Sequence, residues 1–312
     1  MSEICFLFPG QGSQTVGMGK NFFDQDERAR EFYNRADEAL GFPLSKLCFE
    51  GPEEKLKLTE NTQPAILTHS VIAADFLKRA NVNPAYIAGH SLGEISAVTA
   101  SGAISFEDGV KLVRSRGKFM QEAVPEGEGA MSAIIGLSYE ELSKICQGFE
   151  PQIVSVANIN SPEQIVISGE KNAVEQASAM AKESGAKMAV PLPVSAPFHC
   201  QMMKPAAEKL GAYLKDLEIR DLGVPLITNA DVQRIQKGDD IRTSLIKQVE
   251  HPVRWLEIIQ LLLSDGVKTF VEVGPGKVLT GFMRRIVKGK EHRTLRVHDP
   301  ESAAKVISAL SS

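Results

Sequence analysis

Short apolar runs closed by glycine or proline alternate along this chain with longer stretches whose apolar residues return at helical spacing. The run Ile4 to Phe8, ICFLF, followed by PGQGSQ, predicts a buried strand and a glycine-rich loop. TQPAILTHSVIAADFLKRA predicts a helix with Pro64 in its first turn, where a missing backbone N–H is harmless. IAGHSLGE, Ile87 to Glu94, predicts a short strand, a tight turn and the start of a helix, and Phe106 to Ala123 predicts a further helix. Strands alternating with helices point to a mostly parallel α/β sheet.

The pattern then changes. EAVPEGEG, Glu122 to Gly129, has linker character. After it come strand AMSAIIG, a helix opened by the capping box Ser138 to Glu141, strands IVSVAN and QIVIS, helix EKNAVEQASAMAKES and strand AKMAVPL. That order, βαββαβ, is the split ferredoxin-like unit. From about Val194 the larger pattern resumes, with strands near PLITN and KTFVEVG. The expectation is a large α/β domain, residues 1–125 and 196–312, and an inserted ferredoxin-like α+β domain, residues 126–195. A ligand is expected in the cleft between them.

Composition narrows the function classes. With 43% hydrophobic and 24% charged residues the chain is of ordinary globular type, and its net charge of −4 argues against extended nucleic-acid binding. No apolar run approaches the roughly 20 residues a membrane helix needs. Glu3 stands where a signal peptide would carry positive charge, so a cytoplasmic protein with no membrane association is expected. Cys5, Cys48, Cys146 and Cys200 lack any C-x-x-C spacing, which suits reduced, buried thiols better than disulfides or a metal site. Gly10 and Gly12 invite a dinucleotide-loop reading, but Thr15 stands where the third glycine belongs.

Gly89-His90-Ser91-Leu92-Gly93 matches G-x-S-x-G between a predicted strand and a predicted helix. Such an elbow lifts the serine oxygen out of the turn and aims the amide of Leu92 at an anion, which makes the large domain α/β-hydrolase-like. The serine needs a base. Of six histidines, His69 lies within an apolar helix and His90 is on the elbow itself, leaving His199 in PVSAPFHCQMM and His298 near the C-terminus. A second oxyanion donor is expected from PGQGSQ, where glycines let a backbone amide approach a ligand. On the helix from Phe106, at about 100° per residue, Arg116 falls inside the apolar arc and Arg114 outside it. A buried guanidinium needs an anionic partner: either an internal carboxylate or a ligand carboxylate gripped by two hydrogen bonds.

Together, FPGQGSQ, TENTQPA, GHSLGE, RSRGKFM, NINSPEQIVISG, PVSAPFH and EVGPGKVLTG resemble the malonyl-CoA:acyl carrier protein transacylases, the acyltransferases of type II fatty-acid synthesis. The resemblance implies Ser91 as acylated nucleophile, His199 as its base, and the amides of Gln11 and Leu92 as oxyanion donors. It implies Arg116 as binder of the malonyl carboxylate, the Gln248 carbonyl as orienter of the histidine, and Asn160 at the border of the substrate cleft. Leu92 and Phe198 match positions that in related polyketide acyltransferases separate malonyl from methylmalonyl substrates. The resemblance implies malonyl-CoA and acyl carrier protein as partners; transfer through a serine ester needs no cofactor or metal, and a monomer is the expectation. A carrier protein is typically acidic, and MRRIVKGKEHRTLR, with Arg284, Arg285, Lys288, Lys290, Arg293 and Arg296, is the densest basic stretch to receive it. The competing reading is a serine hydrolase on the same elbow, with His298 as base and Asp265 as acid.

Overall fold

The computed structural model describes residues 3–194 and 196–311; Ser195, at the expected boundary of the insert, and residues 1, 2 and 312 lie outside the described residues. Its strands are β1 (Ile4–Phe8), β2 (Tyr86–Gly89), β3 (Gly129–Ile135), β4 (Val154–Ser161), β5 (Gln164–Glu170), β6 (Met188–Pro191), β7 (Leu226–Ile227), β8 (Arg234–Ile235), β9 (Thr269–Val273) and β10 (Arg293–Val297). They form a six-stranded sheet in the order β10-β9-β1-β2-β7-β8 and a four-stranded sheet in the order β4-β5-β3-β6. The first is parallel except that β8 runs antiparallel to β7, and the second is antiparallel throughout.

In the larger sheet β1, β2 and β9 are largely buried on both faces because helices cover both, and the one acid among them, Glu272, accepts from the Leu279 and Thr280 amides at 2.9 and 2.8 Å. One face packs Phe6, Phe8 and Ile87 against the helices Thr59–Arg79 and Phe106–Glu122. The other packs Cys5, Leu7 and Phe270 against Trp255 and Ile258 of the helix Trp255–Ser264. The four-stranded sheet has its own core, Ile134, Ile165 and Ile167 against Leu142 and Val174 of the helices Tyr139–Gln147 and Lys171–Glu183. The capping box is formed: Ser138 Oγ accepts from the Glu141 amide at 3.2 Å and Glu141 Oε2 accepts from the Ser138 amide at 3.1 Å. The sheets are tied where Ile159 N donates to Val253 O and Val253 N donates to Ala157 O, each at 2.9 Å. All four cysteines are free and buried. Among the described residues no helix is long and apolar enough to cross a membrane.

Two expectations change. Pro64 stands inside the helix Thr59–Arg79, beyond its first turn. The helix tolerates it because the Glu60 carbonyl, which a residue-64 amide would have reached, accepts from Arg114 Nη1 at 3.3 Å instead. The basic stretch is not one face. It spans the helix Val278–Ile286, a turn and the edge strand β10, where Arg293 donates to the Ala309 carbonyl at 2.8 Å and Arg296 to the Gly276 carbonyl at 3.3 Å.

Candidate active site

Ser91 is the N-cap of the helix Leu92–Ala100, with φ 53° and ψ −110°. The glycine spacing around it follows from packing: a Cβ on Gly93 would lie 2.0 Å from the Phe8 carbonyl oxygen, and one on Gly89 would lie 1.9 Å from the Gly93 carbonyl carbon. A non-glycine residue at such a φ costs about 1–3 kcal/mol and persists only where its surroundings hold it. Here Asn229 holds it, accepting from the Ser91 amide and donating to the Gly89 carbonyl, each at 2.7 Å. Gln248 Nε2 donates to the Ser91 carbonyl at 3.0 Å.

The Ser91 hydroxyl lies 2.7 Å from His199 Nε2, and His199 Nδ1 lies 2.9 Å from the backbone carbonyl of Gln248. A carbonyl only accepts, so Nδ1 carries the proton and Nε2 is left to accept from Ser91. Burial, and then the charge of Arg116, push the His199 pKa down to about 3. The imidazole therefore rests neutral, the form that takes a proton. No carboxylate of the described residues bonds to it.

Arg116 is 1% exposed. Its Nη1 donates to Gln63 Oε1 at 3.0 Å, and its Nη2 donates to Gln248 Oε1 at 2.7 Å and to Ser91 Oγ at 3.2 Å. Nε has no partner among the described residues. The internal ion pair is thus not formed: every group bonded to this guanidinium is neutral, and it shares a cavity of about 260 Å3 with Ser91, Leu92, Gln11, Phe198 and His199. Burial lowers its pKa to about 10, against the opposing charge of Glu94, so it stays cationic at neutral pH. Arg114, on the outer arc, instead pairs with Glu60 at 3.7 Å and lies over Phe42.

Residues 5–307 match the family described as Acyl transferase domain. The chain belongs to this family. The chain is 49% identical over 312 residues to the malonyl CoA-acyl carrier protein transacylase of Bacillus subtilis (strain 168), covering 99% of this chain and 98% of that one. The Escherichia coli (strain K12) protein of the same name is 49% identical over 289 residues, covering 92% of this chain and 94% of the other. Among solved structures, the malonyl CoA-acyl carrier protein transacylase from Coxiella burnetii superposes with a TM-score of 0.97 at 42% identity, covering 100% and 98% of the two chains. A type II PKS acyl-carrier protein in complex with its malonyl-transacylase superposes with a TM-score of 0.96 at 43% identity, over 99% of this chain and 100% of that one.

In this acyl transferase domain the remaining expected residues fall as follows. Leu92 opens its helix, where the first amides have no intrahelical acceptor. Gln11 borders the cavity, its side chain tied to Thr59 Oγ1 at 3.2 Å. Asn160 does not line the cavity: its Oδ1 pairs with His90 Nε2 at 2.8 Å, and Asn158, two residues earlier on β4, lines the cavity instead. His298 and Asp265 do not reach Ser91. His298 faces a separate cavity beside His69, and Asp265 accepts from Arg234 Nε at 2.9 Å.

Three residues that hold the site were missed. Glu94 is fully buried on a helix whose neighbours are otherwise apolar or small, a placement that the arc used for Arg116 would have exposed. Asn229 follows β7, at the strand end where parallel sheets carry their chemistry. Gln63 lies near the start of the run predicted to be a helix, where nothing local marks it as the partner of Arg116.

Proposed function

We infer that this acyl transferase domain moves the malonyl group of malonyl-CoA to the phosphopantetheine thiol of acyl carrier protein through an ester on Ser91. The observation that carries this is the convergence of a neutral imidazole at 2.7 Å and a buried guanidinium bonded only to neutral groups at 3.2 Å on one serine oxygen. The first makes a nucleophile. The second selects an acyl group with a free carboxylate, which arginine binds through two parallel hydrogen bonds.

Each half-reaction moves one proton out and back. Ser91 gives its proton to His199 Nε2 as Oγ attacks the thioester carbonyl. The oxyanion faces the amides of Leu92 and Gln11, and each such donor is worth about 2.7–4 kcal/mol in the transition state. Collapse expels coenzyme A, which takes the proton from His199. The carrier thiol then gives its proton to His199 while its sulfur attacks the malonyl ester, and Ser91 leaves with that proton. The Gln248 carbonyl does the orienting that an acid does in a triad, so the pair is a dyad. Phe198 limits space beside the acyl chain.

The same reading extends to architecture. The order β4-β5-β3-β6 with two covering helices is that of a ferredoxin-like unit, which supports an insert over residues 126–195 in an α/β-hydrolase-like domain. The protein works on soluble substrates in the cytoplasm, as a monomer. Arg284, Arg285, Lys288 and Lys290, all exposed, receive the acidic carrier; the helix that bears the arginines also carries Phe282, whose ring is 6.1 Å from that of His90.

Intact mass with peptide mapping tests the first step. Malonyl-CoA is expected to add one malonyl group, located on Ser91, in the parent and none in His199→Ala. An adduct in His199→Ala at the parental rate would remove the histidine from the reaction.

A further inference from the structure

A buried cation that touches only neutral groups must find its countercharge behind one of them. Behind Gln248 stands Glu94, with no exposed surface. Gln248 Oε1 accepts from Arg116 Nη2 at 2.7 Å, while Gln248 Nε2 donates to Glu94 Oε2 at 2.8 Å and to the Ser91 carbonyl at 3.0 Å. Glu94 also accepts from the Asn229 amide at 3.1 Å and from Ser244 Oγ at 2.8 Å. We propose that Glu94 is a positioning residue, the countercharge of Arg116 held one amide away so that the guanidinium stays free for the substrate carboxylate. The inference rests on the malonyl reading of the site.

The spacing explains itself through its alternatives. A carboxylate in direct contact would occupy the guanidinium edge and compete with substrate. A site without any acid would leave a lone buried cation, which is costly. An intervening amide meets both needs, because its oxygen accepts from the cation while its nitrogen donates to the anion. It does so in one orientation only: turned over, Gln248 would set an NH2 against the guanidinium and an oxygen against the carboxylate. Glu94 thereby fixes the amide of the residue whose carbonyl also orients His199. Three converging donors suit an ionised carboxylate; burial raises the Glu94 pKa, and the Gln248, Ser244 and Asn229 hydrogen bonds, then the charge of Arg116, oppose that rise.

A double-mutant cycle on the whole protein, read by thermal melting without ligand, tests the pairing. Glu94→Gln keeps the hydrogen bonds, since the Ser244 hydroxyl turns to accept, and removes only the charge. It is expected to lower the melting temperature on the order of 5 °C in the parent and by less than about 2 °C in Arg116→Gln. Equal losses in both backgrounds would overturn the proposal. If Glu94→Gln alone does not fold, Glu94→Gln with Arg116→Gln is expected to fold; failure of the double variant as well overturns it. In a Ser91→Ala background, which cannot be acylated, malonyl-CoA is expected to raise the melting temperature of Glu94→Gln more than that of the Glu94 protein, because the substrate carboxylate supplies the missing charge. Acetyl-CoA is expected to raise both alike. A non-additive cycle with no difference between malonyl-CoA and acetyl-CoA would uphold the charge pair and overturn the malonyl reading instead.

Discussion

In the proposed reaction, Arg116 decides which acyl group the serine receives. Its guanidinium offers fixed, buried donors at the level of the Ser91 oxygen, so a malonyl carboxylate bound there would hold the thioester carbonyl close to the nucleophile. Arg116→Ala removes two charge-assisted hydrogen bonds of about 1.5–3 kcal/mol each. Acylation by malonyl-CoA, followed as kcat/KM, is expected to fall roughly 100-fold or more, while acetyl-CoA, which has no carboxylate to lose, gains relative to it. Equal malonyl rates in variant and parent would contradict the carboxylate role. Arg116 was legible because a helix arc separates it from Arg114 without any knowledge of what it faces. The same arc marks Glu94 as buried but not what it faces, and Asn229 carries no such mark, since their partners Gln248 and Ser91 lie 154 and 138 residues away along the chain.

At the scale of elements, what the apolar pattern specifies is what the structure forms. β1 matches its apolar run residue for residue, and Ser91 lies between β2 and a helix as G-x-S-x-G requires. Where polarity and structure part, the pattern failed for physical reasons. β10 is an edge strand, so Arg293 and Arg296 read as a charge run although the backbone pairs with β9 over five residues. β8 is two residues long, too short to carry a period. The segment Thr59–Asn61 reads as polar and stands ahead of the predicted helix, yet it is helical and largely buried, the Asn61 side chain bonded to Lys55 and Arg114. In each case the deciding contact lies outside the window in which a period can be seen.

The whole molecule has a net charge of −4 and an acidic expected partner, so attraction has to be local. Arg284 and Arg285 end the helix Val278–Ile286, and Arg285 reaches across to Gln164 of β5 at 2.9 Å, which places the basic surface where the two sheets meet. Reversing both to glutamate is expected to slow transfer to acyl carrier protein and flatten its salt dependence, while acylation by malonyl-CoA stays at the parental rate. An unchanged transfer rate and salt slope would remove this surface from docking.

The fate of an ester on Ser91 separates transfer from hydrolysis. Malonylated protein, freed of coenzyme A, should be divided among carrier protein bearing phosphopantetheine, carrier protein lacking it, and buffer alone, and the adduct followed by intact mass. Rapid loss of malonyl from Ser91 with its appearance on the phosphopantetheine-bearing carrier, and slow loss in the other two, is the predicted result. Loss at one rate in all three would mean that water takes the acyl group, and that the domain is a hydrolase.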